Sequence, residues 1–156
     1  SDVWTDLTGT GQGLGPSAAR SRSAAYPFEL AYRLINMFSL RNDTVIDPFL
    51  GTGTTLLAAM ASQRHSLGFE LDSSLKPTIE EGCKSIVNQA NDYINARLER
   101  HAQFVADREV KHRNRRYGFG VVSAQERDIV LNALSAISDF GKDGYEVRYG
   151  AKKARS

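Results

Sequence analysis

Two carboxylates and a glycine turn are the residues best placed to do chemistry. The stretch is TVIDPFLGTGTTLLAAMASQRHSLGFELD, residues 44–72. Thr44-Val45-Ile46 is a β-branched run suited to a buried strand. Pro48 follows Asp47 and cannot extend a central strand, because it has no N–H to give. Gly51-Thr52-Gly53 allows a sharp turn and a close backbone approach. Thr54-Thr55 then opens a helix with Leu56, Leu57, Ala59, Met60 and Ala61 for its packed face. Leu67-Gly68-Phe69 reads as the next strand, with Glu70 at its carboxyl end. Ligands of open α/β sheets bind beside the carboxyl ends of strands, so Asp47 and Glu70 are both placed to touch one.

This spacing suits a nucleoside-type cofactor. Backbone N–H groups at a glycine turn and a helix start can meet a ligand. An acid about twenty residues on, at the tip of strand two, is placed to accept from ribose hydroxyls. The turn is neither G-x-G-x-x-G nor a P-loop, which disfavours a pyrophosphate ligand and a dinucleotide oxidoreductase. A bare G-x-G is more often an ordinary βαβ turn. Asp-Pro-Phe before it and Glu70 after it tip the balance toward a site.

DPFLGTGTT resembles the glycine motif of the amino-group DNA methyltransferases, and GFELD resembles the acidic motif that follows it. Upstream, Ala24 to Ile35 (AAYPFELAYRLI) is similar to that family's A-P-F-P-x-x-L-x-x-R-L-I segment, departing from it at Ala25 where the family prefers Pro. Asp2-Val3-Trp4 resembles the lead-in to that segment. The likeness covers roughly residues 22–75. It implies methyl transfer from S-adenosylmethionine to adenine N6 or cytosine N4, on a Rossmann-like class I α/β sheet. It also implies a cofactor site made of Tyr26, Pro27, Asp47, Pro48, Phe49, Gly51, Thr52, Gly53, Thr54, Glu70, Leu71 and Asp72. In that reading Glu70 accepts from the ribose, Asp47 and the 49–54 backbone hold the methionine end, and Tyr26 and Leu71 border the pocket, with Leu71 near adenine.

The family's catalytic tetrapeptide, Asp/Asn/Ser-Pro-Pro-Tyr or Phe, has no counterpart here. The four prolines, at 16, 27, 48 and 77, are never adjacent. No catalytic residue is therefore assigned. In a permuted branch of the family the catalytic and target-recognition parts come first and these motifs last. The chain fits that second half, as a fragment or as one half of a split enzyme acting on double-stranded DNA. A non-catalytic cofactor- or DNA-binding module is the alternative. An RNA guanine-N2 methyltransferase is a weaker one, since no Asp/Asn-Pro-Pro follows the glycine motif in the more than eighty residues after Asp72.

The remaining chain must position these residues. Its 156 residues, 41% hydrophobic and 24% charged, suit one domain or part of one. No apolar run is long enough to span a membrane, no signal peptide is evident, and Cys83 is the lone cysteine, so a cytoplasmic protein without disulfides or a metal site is expected. Val3, Trp4 and Leu7 suggest an edge strand, and residues 8–23, rich in Gly and Ser, a mobile linker. Residues 24–108 read as the cofactor-binding half and 109–156 as an extension.

Pro27 suits a helix start, with Leu30, Leu34, Ile35 and Phe38 as its apolar face. Ser73 or Ser74 should cap a long helix carrying Pro77 in its first turn and Ile79, Cys83, Ile86, Val87, Ala90, Tyr93, Ile94 and Leu98 on its packed face. REVKHRNRR, residues 108–116, is basic: a solvated helix end, or a phosphate-contacting patch. His65, His101 and His112 are isolated and read as surface residues, His65 in the turn before strand two. Gly118–Val122 reads as a strand. Ser123 to Glu126 is a capping box before a helix built on Ile129, Val130, Ala133, Leu134 and Ile137. Residues 145–149 alternate like a strand, which makes the extension β-α-β, and residues 152–156 form a frayed basic tail.

Overall fold

Strand β1, Thr44–Asp47, and strand β2, His65–Gly68, run parallel, with Ile46 opposite Leu67 and Asp47 opposite Gly68. The structure, a computed structural model, describes residues 26–150. The N-terminal edge strand, the 8–23 linker and the basic tail lie outside the described residues. The element order among them is α1 (Phe28–Phe38), β1, α2 (Thr54–Ala61), β2, a 3-10 turn (Ser73–Leu75), α3 (Lys76–Ala106), β3 (His112–Arg113), β4 (Gly120–Val121), a second 3-10 turn (Ala124–Asp128), β5 (Ala133–Asp139) and β6 (Tyr145–Gly150). Each of the three sheets has two strands: β1-β2, β3-β4 and β5-β6. The described chain is thus mixed α/β with small sheets.

The chain divides into two compact units. The first holds the described residues up to Ile86 together with Ile137–Glu146; the second holds Val87–Ala136 and the described residues from Val147 on.

In the first unit, α2 is the buried centre. Leu57, Ala58, Ala59, Met60 and Ala61 are all buried, and α1 packs on it. Four small or unbranched side chains in five residues let neighbouring backbones come close. The buried face of α1 is Phe28, Ala31, Tyr32 and Ile35; of the expected row Ile35 is buried, whereas Leu34 and Phe38 are not. Leu34, Met37 and Phe38 are exposed. Both rows have helical spacing, so periodicity alone could not choose between them; the buried row carries the two rings that stack, Phe28 on Tyr32 at 5.9 Å. Arg64 closes the far ends of both helices. Its guanidinium donates to Ser39 Oγ (3.0 Å), to the Ser39 carbonyl (2.6 Å) and to the Ser62 carbonyl.

The cap ahead of α3 is Asp72 rather than either serine. Its Oδ1 accepts from Ser74 N–H at 2.9 Å, and Pro77 sits in the first turn of the helix as expected. Strand two begins at His65, so this histidine pairs with Thr44 instead of preceding the strand.

In the second unit, α3 buries Ala90, Ile94 and Val105. His101 is not a free surface residue: Nε2 lies 3.0 Å from the Gly120 carbonyl and its ring leans on Phe119. The extension is not β-α-β. The capping box is present, but it starts a single 3-10 turn; residues 129–132 are irregular and β5 takes the rest of the stretch expected to be helical. Side chains hold the backbone groups that a helix would have used internally. Tyr117 Oη accepts from Leu131 N–H (2.8 Å) and donates to the Leu131 carbonyl (3.0 Å). Asn91 does the same for Leu134, at 2.9 and 2.8 Å.

Asn114 plays the corresponding role for the turn between β3 and β4. It is 3% exposed; Nδ2 donates to the carbonyls of Glu126 (2.8 Å) and Ile129 (2.9 Å), and Oδ1 accepts from the N–H groups of Arg116 (2.9 Å) and Tyr117 (3.0 Å).

The packing can be tested at two residues. Asn114→Ala strands four backbone groups and should lower stability by roughly 3 kcal/mol, read from the denaturant midpoint. A loss below about 1 kcal/mol would mean that water replaces the side chain. Cys83 is fully buried, and burial pushes its thiol from 9.0 up to about 12. It should react with a disulfide reagent at pH 8 only once the protein is denatured. Above pH 9 the unfolded chain releases this proton and the folded chain keeps it, so stability should fall as pH rises from 9 toward 12. Rapid labelling of the native protein would contradict the packing around Cys83.

Candidate functional site

The loop between β1 and α2 turns on two glycines. Gly51 has φ +56 and Gly53 has φ +85, both in the left-handed region that a side chain disfavours. Gly53 is the residue that enters α2, and no side chain caps the helix there. The loop is seated by Leu50: its N–H donates to the Phe69 carbonyl at 2.9 Å, and its side chain covers Gly68 so closely that a Cβ there would stand 2.7 Å from Leu50 Cδ1. Phe69 N–H in turn donates to the Asp47 carbonyl at 3.0 Å, which carries the β1-β2 pairing one step past the assigned strand. Gly68 thus leaves the space that the Leu50 side chain fills, a role its place in a strand did not reveal.

Both carboxylates point into this loop. Asp47 Oδ1 accepts from Phe49 N–H at 3.0 Å, and Oδ2 accepts from the Thr55 hydroxyl at 2.5 Å. Thr55 Oγ1 also accepts from the Tyr26 hydroxyl. The chain Tyr26 to Thr55 to Asp47 therefore joins the residue before α1, the first turn of α2 and the tip of β1. Burial holds the Tyr26 hydroxyl above its usual pKa; the Thr55 hydrogen bond opposes this and the charge of Asp47 adds to it. Thr55 was not among the residues expected at the site. Its signal was positional: it sits one place past Thr54 in the opening helical turn, where a hydroxyl can reach back to the strand tip.

Glu70 grips the same loop from β2. Oε2 accepts from Gly51 N–H at 2.7 Å and Oε1 accepts from Asp72 N–H at 2.8 Å. Asp72 then turns outward to cap Ser74, whose hydrogen bonds hold the Asp72 carboxyl below its usual pKa. The structure thus brings Tyr26, Asp47, Phe49, Gly51 and Glu70 to one loop. Thr52 and Gly53 are buried beneath it, and Thr54 lies in the first turn of α2. Pro27 is the N-terminal cap residue of α1, next to Tyr26, and Pro48 is exposed between Asp47 and Phe49. Phe49 and Leu71 project into solvent, 87% and 103% exposed.

A carboxylate oxygen that accepts one N–H keeps capacity for a second donor. Both acids can therefore hold the loop and still receive hydroxyl or ammonium groups. The arrangement offers two anionic acceptors, a bend with left-handed glycines, and exposed apolar side chains on either side. That set fits a polar, cationic nucleoside.

A family model described as DNA methylase matches residues 1–81, just over half of the chain. The Type II methyltransferase M.MthZI of Methanothermobacter thermautotrophicus is 48% identical over 131 residues, covering 84% of this chain and 37% of that one. M.MjaI, a Type II methyltransferase of Methanocaldococcus jannaschii, is 60% identical over 60 residues, covering 38% of this chain and 20% of that one. A Thermus thermophilus protein crystallised with S-adenosyl-L-methionine is 50% identical over 36% of this chain and 23% of its own, with a TM-score of 0.35. The chain spans little more than a third of the length of the longest-matched of these relatives. By the extent of the family match, this chain belongs to the DNA methylase family.

Proposed function

We propose that the chain is the S-adenosylmethionine-binding portion of a DNA methyltransferase that modifies an exocyclic amine, adenine N6 or cytosine N4. The observation that carries this reading is the pair of carboxylates at adjacent tips of parallel strands, both bonded to the loop that leads into α2, Asp47 to Phe49 N–H and Glu70 to Gly51 N–H. Ligands of open α/β sheets are bound at such strand ends, and an acid at the second tip is suited to ribose hydroxyls. The residues present fit the cofactor: apart from its chain neighbours, Gly51 has only the Phe49 carbonyl near the place of a Cβ, at 3.9 Å, so the bend leaves room for a ligand.

In this reading Glu70 accepts from the ribose hydroxyls while it holds Gly51 N–H. Asp47 and the 49–54 backbone receive the methionine end. Tyr26 borders the pocket from the start of α1, and Leu71 lies against adenine with Pro27, Pro48 and Asp72 completing the rim. Bound S-adenosylmethionine would supply an electrophilic methyl group. The chain's own residues bind and orient it, and positioning of the two reactants is the main catalytic resource of such a transfer.

The acceptor amine must be held by other residues, because no Asp/Asn/Ser-Pro-Pro-Tyr or Phe occurs in the sequence. We place that machinery, with target recognition, in further polypeptide of the same parent chain or in a second chain. One face of the β1-β2 pair supports this. Ile46 and Leu67, opposite each other, are 63% and 50% exposed, and Phe69 beyond them is 55% exposed. Parallel strands are ordinarily covered on both faces. The missing tetrapeptide also favours a second reading, a module that binds cofactor or DNA without catalysing transfer.

Glu70→Ala should weaken S-adenosylmethionine binding by roughly 1–3 kcal/mol in calorimetry, the scale of a hydrogen bond to a charged group. Unchanged affinity would remove Glu70 from the site. With tritium-labelled cofactor and duplex DNA, the chain alone should transfer no label and should do so once the catalytic portion is supplied. Transfer by the chain alone would defeat the divided reading; no transfer in either case, with cofactor bound, would favour the non-catalytic module.

A further inference from the structure

We propose that the basic stretch leading into the β3–β4 turn is a contact surface for the phosphate backbone of duplex DNA, made of residues other than those of the candidate cofactor site. Residues 108–116 carry five Lys or Arg and one Glu, whereas the whole chain is only +2, so the rest of the chain is net acidic. Positive charge is therefore concentrated in one short element of the second unit.

The element presents that charge outward. Lys111, Arg113 and Arg115 are exposed, and the residues between and before them are not: Val110 and His112 are half-buried and Asn114 is buried. A two-residue alternation of this kind puts three cations on the solvent side of one stretch. Beside it lies a groove of ≈ 470 Å³ lined by Arg108, Glu109, Val110, Lys111, His112 and Val122. The Arg108 guanidinium is steadied 3.9 Å from the Phe104 ring centroid.

The backbone beneath the row is fixed. Asn114 closes the turn from inside through four side-chain hydrogen bonds, and Arg115 N–H donates to the Arg127 carbonyl at 2.9 Å. The partners of the row itself are exchangeable. Arg113 Nη1 donates to the Gly118 carbonyl at 3.0 Å, which leaves its other donors for a ligand. Arg115 pairs with Asp128 at 2.8 Å, with both side chains about two-thirds exposed. An exposed pair of this sort contributes little to stability, so a phosphate can replace the carboxylate. Arginine forks and a lysine on a rigid turn are suited to phosphate oxygens, which fix the register of a protein on a duplex without reading its sequence. The choice of DNA over another polyanion rests on the function proposed above.

The test uses the full chain and a fluorescent duplex of arbitrary sequence, with binding followed by anisotropy across a salt series. Against wild type, the triple variant K111E/R113E/R115E should lose at least about tenfold in affinity near 100 mM salt, and the slope of log K against log salt should fall by about 2–3. Lys111→Glu alone leaves the turn's own hydrogen bonds in place and should lower the slope by about one, which keeps the test valid if the triple variant unfolds. Calorimetric affinity for S-adenosylmethionine should be unchanged in both variants. Wild-type binding that both variants retain would overturn this surface alone. A wild-type chain that binds no duplex even at low salt would overturn the DNA reading with it. Equal, equally variant-sensitive binding to phosphatidylserine vesicles would overturn the assignment to nucleic acid.

Discussion

The candidate site depends on one hydrogen-bonded clamp: the Glu70 carboxylate, at the end of β2, accepting from Gly51 N–H in the loop after β1. Within the bend of left-handed glycines, Gly53 N–H donates to the Leu50 carbonyl at 3.0 Å, whereas Gly51 N–H takes its acceptor from outside the loop. Glu70 supplies that acceptor from nineteen residues away, and the bond is charge-assisted, which makes it stronger than a neutral one. Its second oxygen fixes Asp72 N–H, and Asp72 then caps the turn ahead of α3. One side chain thus sets the shape of the loop and the departure of the chain toward its longest helix.

Asp47 completes the frame from the other strand. Its two oxygens bind a loop amide and a helix hydroxyl, and through Thr55 the Tyr26 phenol is drawn to the same place. The consequence is preorganisation. Loop, helix start and aromatic neighbour are held before any ligand arrives, so binding need not order them, and that ordering cost is a large part of what weakens association. The same carboxylates that would receive a ligand are already at work on the backbone, which is possible because each oxygen can accept more than one donor.

How far the sequence disclosed this depends on the range of the interactions involved. The β1-loop-α2-β2 unit was legible because its signals are local: β-branched strands, glycines at the bend, small residues along α2. The clamp itself was not. Asp47 and Glu70 were expected near a ligand, but nothing in their spacing shows that they bind Gly51 and Phe49 amides. The packed face of α1 was only partly legible: Ile35 belongs to it as expected, but Leu34 and Phe38 fit the helical period as well as Phe28, Ala31 and Tyr32 do. The extension failed for a different reason. Ile129, Val130, Ala133, Leu134 and Ile137 satisfy a helical spacing, and the capping box before them is real. What decides the outcome is distant: Tyr117 and Asn91 satisfy the backbone of Leu131 and Leu134 and keep the chain extended. Periodicity in a short apolar run cannot register a competitor forty residues upstream.

The two units therefore solve the same problem with opposite means. In the first, carboxylates hold a loop whose exposed residues are Pro48 and Phe49. In the second, neutral amide and phenol groups (Asn91, Asn114 and Tyr117) do the internal bonding. A buried neutral group meets its hydrogen-bonding needs without the desolvation cost of a buried charge. The charged residues around the β3–β4 turn are then not required for its interior and can stay at the surface. The first unit shows the complementary surplus. Ile46 and Leu67 form a cross-strand pair with an open apolar side, on strands of a type that normally lie between two layers. Among the described residues, the carboxylates of Asp47 and Glu70 are bonded to the loop while that apolar pair stays exposed. The proposal that the catalytic portion lies in other polypeptide gives the pair a cover.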